Sequence, residues 1–251
     1  AGAAKRTRLK DLRWLYALGH QRHHHHHSCF DPVGADRSLS RVRFAAPAVF
    51  FFALAACGGP AEPIWAPQDL VDKARFTAPG PSKITLFTVR STDTGFGAHA
   101  GLMISGSERV LFDPAGTFRL QSAPERNDLH HGITPQVLAV YIDYHARETY
   151  DVEIREIEVT RAEANALIAQ ARNYGAVPKA QCSLSITRIL NTQPRFASVP
   201  VTYFPTQAAA GFDAIPGVTS RVITDDDADN NHGVLIRARE ELDAMGLRPA
   251  N

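Results

Sequence analysis

Ala98-His99-Ala100-Gly101-Leu102-Met103-Ile104-Ser105-Gly106-Ser107-Glu108-Arg109-Val110-Leu111-Phe112-Asp113 is the stretch on which the fold turns. Residues 98–105 have strand composition, Gly106-Ser107-Glu108 is a tight turn, and 109–113 is a second strand stopped by Pro114 and Gly116. Two such runs so closely joined form an antiparallel hairpin. In a hairpin the start of one strand lies opposite the end of the next, so His99 and Asp113 are expected to be neighbours. Upstream, Lys83 to Arg90 is another strand, with Ile84, Leu86 and Val89 among its β-favouring residues.

Downstream, residues 124–132 read as a polar loop. Thr134-Pro135 opens a helix, with Thr at the N-cap and Pro at the first helical position. Val137, Leu138, Tyr141, Ile142 and Tyr144 or His145 form its apolar stripe. Tyr150 to Val159 is a long strand. Thr160 and Glu163 make a capping box, predicting a helix over 161–173 that ends at Gly175. Residues 179–190 form the next helix, with Cys182 in its first turn. A short strand near 201–204, an acidic loop at 225–229 and a closing helix near 233–245 complete the chain. Strands, helix, strand and helices in that order predict an α+β domain, an antiparallel sheet with packed helices.

The N-terminus reads as an address. Arg37, Arg41 and Arg43 precede an uncharged apolar run, Phe44 to Ala53, and small residues follow. That run is shorter than the roughly 20 residues a membrane span needs, and the order is that of a signal peptide. Its ending, Leu54-Ala55-Ala56-Cys57, resembles the lipobox of bacterial lipoproteins. The resemblance implies acylation of Cys57, for example with palmitate, and cleavage before it. The expected organisation is therefore 1–36 an upstream extension or tag containing the His23–His27 run, 37–56 a signal peptide, 57–80 a tether, and 81–251 the domain. Of Cys29, Cys57 and Cys182, Cys182 alone then remains as a thiol in an oxidising compartment, with no disulfide partner.

An unpaired thiol near a helix N-terminus, a histidine and a carboxylate form a set that supports nucleophilic catalysis. A helix N-terminus and a nearby imidazolium both favour thiolate. His99 would take the thiol proton and pass it to the leaving group, and Asp113 would fix the imidazole tautomer. His130 and His131 are rivals for the third role or plain loop residues. Arg126 and Asp128 read as surface charges. Asp225, Asp226, Asp227 and Asp229 read as a solvated loop, because their spacing is not that of an EF-hand.

His99-Ala100-Gly101-Leu102-Met103-Ile104, Val110-Leu111-Phe112-Asp113 and, about 70 residues on, Gln181-Cys182-Ser183-Leu184-Ser185-Ile186 resemble the circularly permuted branch of the NlpC/P60 papain-like superfamily. That branch includes lecithin–retinol acyltransferase-like proteins and some bacterial lipoproteins. The resemblance spans roughly 83–205 and implies a permuted papain-like fold with Cys182 as nucleophile, His99 as base and Asp113 as third residue. Gln181 stands where the family often has Asn, and Asp113 where it often has His. The family implies thiol hydrolase or acyltransferase chemistry on an amide or ester of a cell-wall peptide or lipid. It implies no cofactor and no metal. The expected protein is a monomer of the bacterial cell envelope, lipid-anchored in the outer membrane and facing the periplasm. The alternative is a non-catalytic binding or structural module.

Composition excludes other classes. Residues 1–43 carry 9 Lys/Arg against 3 Asp/Glu, whereas residues 44–251 carry 18 against 23. A body with net negative charge and no nucleic-acid motif has no general attraction to phosphate backbones.

Overall fold

The computed structural model describes residues 5–11 and 59–244. Signal segment 37–56 and Cys57 lie outside the described residues. The fold is mixed α/β. Its strands are β1 (Lys5–Arg8), β2 (Lys83–Ser91), β3 (Gly97–Ser105), β4 (Arg109–Phe112), β5 (Glu125–Arg126), β6 (Leu129–His131), β7 (Tyr150–Glu158) and β8 (Thr219–Thr224). They form one sheet in the order β1-β8-β7-β2-β3-β4-β6-β5. Its helices are α1 (Gln68–Ala74), α2 (Pro135–His145), α3 (Arg161–Tyr174), α4 (Cys182–Leu190), α5 (Pro205–Asp213) and α6 (Asn231–Ala244).

Strand alternation sends side chains to two faces, and each face buries a core. Phe87, Met103, Leu111, Val152 and Ile154 pack with α2 and α6. Ile84, Leu86, Leu102, Ile104, Val110 and Phe112 pack with α3, α4 and α5. The result is three layers, helices–sheet–helices.

The predicted hairpin is β3–β4, antiparallel, with Leu102 opposite Phe112 and Ser105 opposite Arg109. Thr134 caps α2 by accepting from the Val137 N–H. The Thr160–Glu163 capping box is formed in full, and Gly175 caps α3 at φ 88°. Several expectations need correction. The sheet is mixed, because β1 runs parallel to β8. Residues 5–11, read as part of an upstream extension, supply that edge strand and a buried Leu9. The 124–132 loop is a small hairpin, β5–β6, whose His130 and His131 are buried. The strand expected at 201–204 is irregular, while α5 and β8 follow it as regular elements. The 57–80 segment is no loose tether: it contains α1, and its described residues are hydrogen-bonded to the domain at Ile64–Asn127 and Ala66–Glu125. Among the described residues no helix is long and apolar enough to cross a membrane.

Candidate active site

Three elements meet at one end of the sheet. At that end β2 and β3 lose register: Val89 faces His99, but Arg90 faces Gly97. Ala98 is the extra residue of this bulge, and bulges re-aim the side chains beside them. His99 then lies on the face carrying Gly101 and Met103, toward α2. Asp113 follows the last residue of β4 and is buried. Its carboxylate Oδ1 lies 2.7 Å from His99 Nε2. The expected contact across the hairpin is therefore present.

Cys182 is the first residue of α4 and is buried. Its N-cap, Gln181, makes no side-chain cap bond. His99 and the backbone N–H groups of Ala100 and Ser183 face the sulfur closely enough to favour its charged form. Since Nε2 of His99 is engaged by Asp113, Nδ1 is the nitrogen left for the thiol. The imidazole thus bridges carboxylate and thiol, with α4 arriving from one side of the sheet and Asp113 and α2 packed on the other.

The electrostatics follow from this geometry. Burial opposes a charged His99, but the Asp113 carboxylate outweighs it and the pKa is pushed up to about 10. Burial likewise opposes ionisation of the thiol, yet the bond and charge of His99 and the two backbone donors bring its pKa below the ordinary thiol value. Burial would raise the Asp113 pKa, but His99 holds it far below the usual carboxylate range. His99 is thus held as an imidazolium and Asp113 as a carboxylate, and the thiol beside them ionises more readily than a free one.

Further residues belong to this centre. The Tyr141 hydroxyl donates to the same Asp113 oxygen at 2.8 Å. Gly101 permits this approach, because a Cβ there would collide with the hydroxyl. One turn on, His145 stacks on His99 with ring centroids 5.5 Å apart and planes 7° from parallel. Its Nδ1–H is positioned to donate to the Tyr141 carbonyl at 2.9 Å. Burial lowers the His145 pKa to about 4, so it is neutral beside the charged His99.

Asp128 is buried, not a surface charge. Its carboxylate accepts from Val177 N–H at 2.7 Å, and its carbonyl accepts from Asp113 N–H at 2.9 Å. It thereby joins the loop after β4 to the loop leading into α4. Ala115 and Ala180, each two residues from a site residue, have φ of 56° and 66°. That left-handed backbone is unfavourable for a residue with a Cβ, and such strain concentrates at functional sites. Arg126 is half-buried against Trp65 and donates to the Ala66 carbonyl.

The rival histidines have other places. His131 pairs with the buried Glu108 at 3.2 Å. His130 lies against Phe118, with Nδ1 3.4 Å from the Ala123 carbonyl. Asp225 and Asp227 are not simply solvated: both face the guanidinium of the buried Arg147, which also pairs with Asp143. Among the described residues, two sets of side chains bring potential metal ligands within 4.8 Å of one another. Asp143, Asp225 and Asp227 already share Arg147 as counter-charge. His99, Asp113 and His145 are the hydrogen-bonded chain just described, and a metal there would break the His99–Asp113 bond. A cavity of about 240 Å³ lies behind the Asp113 loop, lined by Gly116, Thr117, Asp128, Val177 and Lys179 among others.

Tyr141 and Asp128 were hard to see in the sequence. Tyr141 sits within an apolar helical stripe, where a core role is the ordinary reading. Asn127-Asp128 between two short apolar runs was a turn signal, but nothing local showed what its carboxylate would reach. Comparison of the chain with protein-family models, curated proteins and solved structures gave no match.

Proposed function

We propose that the protein is an envelope lipoprotein with thiol hydrolase or acyltransferase activity on an amide or ester, built on a permuted papain-like domain. The observation that carries this reading is the placement of His99 between Asp113 and the helix-terminal Cys182. Cys182 attacks the substrate carbonyl carbon as a thiolate. The oxyanion that forms collapses, the bond to the leaving nitrogen or oxygen breaks, and His99 gives its Nδ1 proton to that leaving atom. A thioester on Cys182 remains. His99, now neutral, takes a proton from water or from an acceptor alcohol or amine, which attacks the thioester and regenerates the thiolate. Asp113 holds the ring through Nε2 and stabilises each imidazolium stage. Cell-wall peptides and lipid acyl groups both present such carbonyls.

The test is alkylation of Cys182 by iodoacetamide, followed by mass spectrometry across pH. Native protein is expected to react well below the pH at which an ordinary thiol does, and His99→Ala to move the profile upward. Reaction only on unfolding would leave Cys182 a core residue and the protein a binding module. The anchor is tested separately. Cys57→Ser is expected to abolish labelling by a fatty-acid analogue, and labelling that persists would remove Cys57 as the acylated residue.

A further inference from the structure

Among the described residues, the large apolar side chains that remain in water, Ile236 on α6 apart, gather toward one end of the sheet. Trp65, Phe96, Tyr203 and Phe204 are 66%, 60%, 55% and 49% exposed, and Val201 is exposed with them. Phe96 immediately precedes β3. Gly97 lies against Pro205 and Thr206, which sets the 201–204 loop beside Phe96. On the other flank Trp65 bridges to Arg126. Arg126 pairs with Leu129, and Leu129 with Phe112, the last residue of β4. Both flanks are therefore level with the strand ends that carry His99 and Asp113. Scattered apolar residues need no explanation, but a set of aromatics gathered at one end marks an interaction surface.

The course of the chain says what covers it. The Gly59 carbonyl accepts from Lys179 N–H at 3.1 Å, and Glu62 pairs with Lys179 at 3.2 Å. Lys179 is three residues before Cys182. The segment from Gly59 to Ala66 is fastened to the body at this end. Cys57 is two residues upstream, and two residues reach at most about 7 Å. A lipid carried on Cys57 would thus leave the body beside the site, and a fastened segment gives the body little freedom to turn away. Aromatic side chains with a polar edge or tip are those that settle at the level of lipid headgroups.

We infer that this end of the sheet docks on a lipid bilayer, with Trp65 and Tyr203 at the level of the headgroups, Phe96 and Phe204 inserted beside them, and the strand ends that carry His99 and Asp113 facing the membrane. The inference rests on the lipid anchor proposed above and not on the thiol chemistry. It sets the His99–Asp113 end of the sheet at the membrane surface.

Brominated-lipid quenching tests it, using chain expressed with its signal, purified after cleavage before Cys57, which leaves β8 as the sheet edge in place of β1, and placed in phosphatidylethanolamine–phosphatidylglycerol vesicles. Trp14→Phe keeps any uncleaved chain free of a second tryptophan. Trp65 is one probe. Phe204→Trp and Ser107→Trp, each with Trp65→Phe, are the others. Ser107 lies in the β3–β4 turn at the opposite end, about 27 Å away along the strand. Trp65 and the Phe204→Trp probe are expected to lose roughly half their emission, because interfacial apolar side chains lie about 5–10 Å into the headgroup–acyl boundary, within reach of the bromines. The Ser107→Trp probe is expected to keep its emission. Equal quenching at both ends, or none at either, overturns the inference. So does a dimer in light scattering that buries these tryptophans without vesicles. If mass spectrometry shows no acyl chain, the anchor reading fails. Quenching of Trp65 on adding vesicles to that unacylated chain then still supports docking, and its absence overturns it.

Discussion

The Asp113 carboxylate is the residue on which the centre depends. It is fully buried, and one of its oxygens takes both His99 and Tyr141. A buried carboxylate is tolerated when charge and hydrogen bonds replace water, and here an imidazolium and a phenol do so at Oδ1, while Oδ2 is buried without a hydrogen-bond partner. Removing the phenol makes Asp113 a stronger partner for His99 while leaving it less satisfied. Tyr141→Phe is therefore expected to raise the His99 titration further, read by NMR of ring-labelled histidine. It should also lower the unfolding free energy by about 2 kcal/mol in chemical denaturation, the scale of one hydrogen bond to a charged group. A titration unchanged by the substitution would show that the hydroxyl has no influence on the imidazole.

At the scale of elements, the site exists because loops are held in register with a sheet end. The bulge at Ala98 aims His99, α4 brings Cys182 with free backbone donors, and Asp128 ties the loops that carry Asp113 and Cys182. Asp128→Ala would leave the N–H of Val177 without its acceptor. The expected cost is about 1–3 kcal/mol, that of one buried donor left unsatisfied. Denaturant unfolding measures it. Alkylation of the folded variant should require higher pH than in the parent, since α4 is no longer braced against the His99 side. A loss of stability with an unchanged alkylation profile would limit Asp128 to a structural role.

For the whole molecule, buried histidines set opposing pH limbs. Burial holds His130 and His145 down near 4, with the Asp113 charge countering only in part. Their unfolded forms take protons near 6.5, so stability present above that pH is lost as pH falls toward 4. His99 acts in the opposite sense. Its pKa is pushed up to about 10 against the pull of burial, so its contribution is full below 6.5 and is lost as pH rises through 10. Burial also pushes Glu125 up to about 7, which removes stability as pH rises from the ordinary carboxyl range through 7. Thermal melts are expected to peak near pH 6–6.5 and fall on both sides. His130 is faced by Asp113, Arg119 and His131. His130→Asn, which removes one of the two low-titrating groups, should flatten the acid limb. An acid limb unaltered by that change would assign the loss to other groups.

Local rules carried part of this. The β3–β4 hairpin, the capped starts of α2 and α3 and the closing helix were legible because turn residues, N-caps and periodicity act over a few residues. So was the His99–Asp113 contact, since strand pairing relates the two ends of a hairpin by simple geometry. Cys182 is the cysteine that lies among the described residues, at the start of α4. Contacts without a local signature were decided by tertiary structure alone. The parallel pairing of β1 with β8 joins residues more than 200 positions apart. The burial of Asp128 follows from loops that meet only when the sheet is assembled, and the role of Tyr141 follows from a glycine on another element. The fastening of the 59–66 segment to Lys179 and Asn127 is of the same kind, because a Pro- and Ala-rich stretch has no periodicity to show where it will lie. Long-range packing selects these partners, and only the folded chain brings them within reach.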